Sequence, residues 1–169
     1  MLHIFFEGPD DERFFTKIYG KYFGDFKPIQ YSGWPPAKIN NFIRSISCMP
    51  DSDYIFLGDA DGKTIDEKKD LLIHRYSHLD NNKVFIVQYE IESWYYAGAS
   101  AEICRKLKLK SFIHNTDSLK KEDFNATLPQ KGDRKFIMAQ ILEFYEIELA
   151  ISRNQSLSYF NSYIKKESA

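Results

Sequence analysis

Residues 54–62, Tyr54-Ile55-Phe56-Leu57-Gly58-Asp59-Ala60-Asp61-Gly62, run from four consecutive apolar side chains through a glycine into two acids one residue apart. A short unbroken apolar run closed by glycine and aspartate reads as a strand covered on both faces, because a half-exposed strand would alternate. The same pattern stands upstream, where Leu2-His3-Ile4-Phe5-Phe6 leads into Glu7-Gly8-Pro9. Weaker strand signals lie at Phe26–Tyr31, ahead of the breaker Gly33-Trp34-Pro35-Pro36, and at Lys83–Tyr89, after the turn Asn81-Asn82. Between the strands, helical spacing predicts three helices. The first is capped by Asp10 and carries Arg13, Phe14, Ile18 and Tyr22; the others span Ala37–Cys48 and about Ile65–His78. Strand and helix alternate four times over, which predicts an α/β fold: a mostly parallel, Rossmann-like four-stranded sheet with helices on its faces.

Past Glu90 the pattern becomes helical only, with helices expected at 91–98, 100–108, 133–146 and 154–166 and a polar loop over about 110–131. We therefore expect an α/β domain at 1–98 and a helical C-terminal extension at 99–169 packed on it as a cap. A chain of 169 residues with 43% hydrophobic and 28% charged residues can bury a core and is not disordered. No apolar run approaches the length of a membrane span, and no leader precedes the first strand, so a cytoplasmic protein without membrane contact is expected. Cys48 and Cys104 belong to no Cys-x-x-Cys pair; both read as buried thiols rather than zinc ligands or a disulfide. Net charge is −1, yet residues 1–100 carry 11 Lys and Arg against 15 Asp and Glu, while residues 101–169 carry 12 against 9. An acidic front and a basic back suit a metal site beside a phosphate-bearing ligand, though the overall balance is far from that of a dedicated nucleic-acid binder.

The acids fall at strand ends. Glu7 follows the first strand, Asp59 and Asp61 the third, Glu90 and Glu92 the fourth. Open parallel sheets bind ligands outside that edge. Five carboxylates gathered there would raise one another's pKa unless a cation neutralised them, and all-oxygen ligation favours Mg²⁺ or Mn²⁺ over zinc. Other readings of Asp59-Ala60-Asp61-Gly62 are a plain turn with a helix cap, or a haloacid-dehalogenase-type aspartyl nucleophile. For the second, the motif sits on the wrong strand and lacks a downstream Asp-Asp pair. A calcium loop fails because Thr64 stands where the sharp-turn glycine belongs.

The ordered pair of an apolar strand with Glu7-Gly8, then Asp10 or Asp11, and about fifty residues later an apolar strand with Asp59-x-Asp61, resembles the Toprim domain. Type IA topoisomerases, bacterial primases and overcoming-lysogenisation-defect (OLD) family nucleases share that domain. The resemblance covers about residues 1–95. The later segments Glu90-Ile91-Glu92-Ser93-Trp94-Tyr95-Tyr96-Ala97 and Ser152-Arg153-Asn154-Gln155-Ser156 look like those of small standalone Toprim-like proteins, often encoded beside ATPases. The resemblance implies Glu7 as general acid/base or metal ligand and Asp59 and Asp61 as metal ligands, which makes these three the catalytic candidates. Glu90 and Glu92 are added as ligands for a second metal. It implies a Mg²⁺- or Mn²⁺-dependent nuclease of defence or repair, working on DNA before RNA. If its biology needs ATP, a separately encoded ATPase must supply it, because the chain has no Walker loop. The alternative is a non-catalytic Toprim-fold module that binds a partner protein or nucleic acid; a homodimer is one option for either.

Substrate contacts are expected from Lys131, Arg134 and Lys135, which open a helix whose N-terminus favours an anion, and from Arg153. His74 and His78, four apart, read as an exposed pair rather than metal ligands. Trp34 is the aromatic expected to stand exposed near the acids, Trp94 the one expected to anchor the helix after the fourth strand.

Overall fold

The computed structural model of the chain describes residues 1–111 and 113–167. Phe112, in the expected 110–131 loop, and residues 168 and 169, at the end of the expected C-terminal extension, lie outside the described residues. Strand β1 (Leu2–Phe6) leads to helix α1 (Pro9–Phe23), β2 (Phe26–Gln30), α2 (Pro36–Ser47), β3 (Asp53–Asp59) and α3 (Ile65–Arg75). After a 3-10 turn at Asn81–Lys83 comes β4 (Val84–Val87). The four strands make one parallel, Rossmann-like sheet in the order β2-β1-β3-β4. β1 is central, with Leu2 level with both Phe26 and Asp53, and Phe5 level with both Ile29 and Phe56.

The strand order dictates the layers. β1-α1-β2 steps to one side, after which the chain crosses back over β1 to β3 and continues outward to β4. Right-handed crossovers then put α1 on one face and α2 and α3 on the other. Phe15 of α1 meets Phe6 and Phe26 at ring-centroid distances of 5.5 and 5.4 Å. On the opposite face Phe5, Tyr54 and Phe56 pack with Ile39, Ile43 and Ile46 of α2 and with Leu72 of α3. Ile4, Phe5 and Phe6 are therefore fully buried, as a strand covered on both sides requires. β2 departs from the expectation of covered strands. It is an edge, with Lys27, Pro28 and Gln30 exposed, and Pro28 is tolerated because an edge strand can lack one ladder N–H.

The starts of α1 and α3 lie just past the ends of β1 and β3. α1 is capped at Gly8 rather than Asp10, with Pro9 at the first helical position, where its fixed φ suits the helix and its missing N–H costs nothing. α3 begins with a capping box: Thr64 Oγ1 accepts from the Glu67 N–H at 3.2 Å, and Glu67 returns a carboxylate oxygen to the Thr64 N–H at 2.9 Å. Those bonds hold the Glu67 carboxyl below its usual range.

The chain divides into two compact units, Met1–Ile86 and Val87–Ala169. The division falls inside β4, ahead of the expected boundary at residue 98. The second unit holds α4 (Glu92–Ala97), α5 (Ala101–Lys106), α6 (Lys121–Thr127), α7 (Arg134–Glu143), α8 (Ile147–Arg153) and α9 (Gln155–Glu167). Trp94 is its anchor, stacked on Phe160 at 5.4 Å with its indole N–H donated to Ser156 Oγ at 2.8 Å. Two helices go beyond the sequence reading. α6 interrupts the expected loop, and α8 lies between the two expected C-terminal helices. Cys104 is buried but Cys48 is exposed, because α2 turns Ile39, Ile43 and Ile46 inward and Cys48 follows its last turn. Among the described residues no helix is long and apolar enough to cross a membrane.

Candidate functional site

β1 and β3 are neighbours whose outgoing connections diverge, and the crevice beyond their C-terminal ends is where an open α/β sheet takes ligands. Glu7 is the first residue after β1 and Asp59 the last of β3. The structure brings them together: Glu7 Oε2 accepts the backbone N–H of Asp59 at 3.1 Å, across 52 positions of sequence. Asp11, one helical turn past Glu7, is buried and accepts the Gly8 N–H at 3.1 Å, which fixes the turn between β1 and α1.

Tyr31, just beyond β2, is buried beside these acids. Its backbone N–H bonds to Phe6 of β1 at 3.0 Å, while its hydroxyl donates to the Leu57 carbonyl of β3 at 2.8 Å. The side chain thus spans the end of the central strand. Burial first, then the charges of Glu7, Asp11 and Asp59, drive its pKa well above the ordinary phenol value, so the hydroxyl keeps its proton at neutral pH. Gly58 permits this closeness: a Cβ there would lie 3.3 Å from the Tyr31 hydroxyl and 3.1 Å from Leu72 Cδ1. Tyr76 stands near Glu7, its pKa raised mainly by burial and, in part, by that carboxylate.

Asp61 is placed differently. Asp61 and Gly62 both have positive φ, 53° and 79°, and the Lys63 N–H closes the turn on the Ala60 carbonyl at 3.0 Å. Asp and Gly are the residues that accept such paired left-handed positions. The turn delivers the chain to the Thr64 cap, so the plain turn-and-cap reading describes this backbone. The Asp61 carboxylate is ion-paired with Lys68 of α3.

These residues fit a hard divalent cation by chemistry, since all the donors are carboxylate oxygens at one strand-end crevice. They are not drawn into a closed cage. Among the described residues no group of three or more His, Cys, Asp or Glu is arranged to hold a metal ion. A cation that recruited Asp61 would have to displace Lys68.

The remaining candidates lie in the second unit. Glu90 accepts the Lys121 N–H at 2.8 Å and so holds the start of α6. Glu92 is buried and ion-paired with Arg134, whose Nε also donates to Asn125 at 3.2 Å. Burial raises the Glu92 pKa despite the guanidinium. The expected anion-attracting start of α7 is instead met by its own cap, Asp133, which accepts the N–H groups of Lys135 and Phe136. Lys131 and Lys135 are exposed. Arg153, expected to reach substrate, is only 7% exposed; it donates to the carbonyls of Ala97 and Ala99 at 2.9 Å each and of His114 at 3.2 Å. It closes the end of α4.

His74 sits in the last turn of α3 and His78 beyond it, both exposed, so they share no helix face. Trp34 is half-buried against the core, with the Lys38 ammonium 3.6 Å from its ring centroid. Asp11, Tyr31 and Lys68 join the site although they were not among the expected site residues. Only Asp11 carried a signal, its place one turn after Glu7. Compared with protein-family models, curated proteins and solved structures, the chain matches none.

Proposed function

We propose that the first unit is a Toprim-like, Mg²⁺- or Mn²⁺-dependent phosphodiester-cleaving site acting on nucleic acid, DNA before RNA, in the cytoplasm. The observation that carries this reading is the Glu7–Asp59 contact at the ends of β1 and β3, with Asp11 alongside. Asp59 and Asp11 would hold the cation, and Asp61 would join on release from Lys68. The bound ion supplies polarisation of the phosphoryl oxygen and a water of lowered pKa. Glu7, anchored through one oxygen, keeps the other to accept a proton from the attacking water. Tyr31 remains a neutral donor to the Leu57 carbonyl of β3. A nuclease subunit of a defence or repair assembly, with ATP hydrolysis supplied by a separate protein, fits a chain that has no phosphate-cradling glycine loop.

One observation favours a second reading, a non-catalytic module of the same fold. The Asp61–Lys68 ion pair neutralises a carboxylate that catalysis would use. A cleavage assay with Mn²⁺ on single- and double-stranded DNA and RNA separates the two. Metal-stimulated cleavage that disappears in Asp59→Ala, with the circular dichroism spectrum unchanged, supports the nuclease. Absence of cleavage on every substrate supports the module.

A further inference from the structure

The second unit contains a polar cleft of about 460 Å³ where the end of α8 and the first turns of α9 meet the loop that leads into α6. That volume is in the range of small-molecule sites, roughly 300–1,000 Å³. Its lining disfavours an anion. The start of α9 is already met by oxygens: Asp117 accepts the Gln155 N–H at 2.7 Å, and Asn154 Oδ1 accepts the Leu157 N–H at 3.0 Å. The guanidinium of Arg153 is turned to backbone carbonyls, and the Asp117 carboxylate adds negative charge.

Neutral hydrogen-bonding groups and an aromatic ring are what the cleft offers. Gln155, Ser158 and Tyr159 lie at i, i+3 and i+4 and so share one face of α9. The Gln155 side-chain amide and the Ser158 hydroxyl make no hydrogen bond among the described residues. Across from them, Asn115 uses its carbonyl oxygen to accept the Asp117 N–H at 2.8 Å, which leaves its amide nitrogen as a donor. Tyr159 stands 67% exposed at the rim.

We infer that this cleft binds a nucleobase, stacked on Tyr159 and read along its edge by the Gln155 and Asn115 amides. Side-chain amides present a donor and an acceptor side by side, the complement of a base edge, and an exposed aromatic supplies the stacking platform. The base belongs either to a free nucleoside or to an unpaired position in a strand; the recognition chemistry is the same.

The test is amide-shift mapping on the full chain in metal-free buffer, titrated separately with adenosine, guanosine, cytidine, uridine, a short single-stranded DNA of mixed sequence, and inorganic phosphate. Shifts at residues 114–117 and 152–162 are expected with a nucleoside or with the oligonucleotide, and which of them binds there identifies the source. Tyr159→Ala should weaken binding about tenfold or more, and Gln155→Ala should change the order of preference among bases. Asp59→Asn should leave binding unaltered, so failure of the nuclease proposal and failure of this one are distinguishable. The inference is overturned if no base-bearing probe shifts these residues, if phosphate alone gives the same shifts, if both cleft variants bind as the parent does, or if Asp59→Asn loses binding.

Discussion

Two sets of acids follow parallel strands in this molecule, and they meet different partners. After β1, at the crevice it shares with the end of β3, Glu7 and Asp11 accept backbone N–H groups, and among the described residues Glu7 forms no ion pair. After β4, Glu90 holds the start of α6 and Glu92 is buried against Arg134. A backbone N–H fixes a carboxylate without cancelling its charge, whereas a guanidinium cancels it. A carboxylate's position at a strand end therefore does not make it a ligand. Glu7 is held by an amide and Glu92 by a cation, and under the proposed function that difference separates Glu7, whose charge stays available, from Glu92, whose charge is cancelled.

The contrast can be broken most sharply through activity. Glu7→Gln preserves an acceptor for the Asp59 N–H but removes the base, so metal-stimulated cleavage should fall about 10²–10⁴-fold with the thermal midpoint unchanged. Glu92→Gln should cleave at the parental rate; if it abolished cleavage in a folded protein, the division between the two sets would be wrong. Stability should respond in the opposite sense. Glu92→Ala removes the ion-pair partner of Arg134, which is 27% exposed and keeps its Asn125 contact, and should cost about 2–3 kcal/mol in urea denaturation, while Glu7→Gln should be nearly neutral. Smaller again, Tyr31→Phe leaves the Leu57 carbonyl without its donor and should cost about 1–2 kcal/mol. The smallest effect is one of pH. Because burial raises the Glu92 pKa in the folded state, folding takes up a proton between the ordinary carboxylate range and the raised value. Stability should fall as pH rises through that window, and Glu92→Gln should remove that part of the slope in denaturation curves recorded across it.

Much of this was legible in the residues themselves. The apolar runs closed by Glu7-Gly8 and by Gly58-Asp59 mark β1 and β3 because a doubly covered strand has no polar alternation to blur it. They also place both acids on the same edge of the sheet. What the residues did not show was tertiary pairing. Nothing in Glu-Ile-Glu at 90–92 announces that Arg134, 42 positions on, pairs with the second acid. The burial of Arg153 was hidden for a related reason: its partners are backbone carbonyls, which carry no residue identity. α6 escaped because seven residues with Phe124 as the one large apolar side chain are too short to establish a period. Lys68 is four positions from Thr64 on a charged helix and reads as solvated surface; only the left-handed turn at Asp61 and Gly62 brings the aspartate back to it.

The assignment rests on the β1–β3 edge holding a hard cation, and calorimetric titration with Mn²⁺ measures that directly. Binding to the parent chain and to Glu92→Gln, with loss in Asp59→Asn, is the expected result. No heat of binding to the parent, or equal binding by Asp59→Asn, would contradict it.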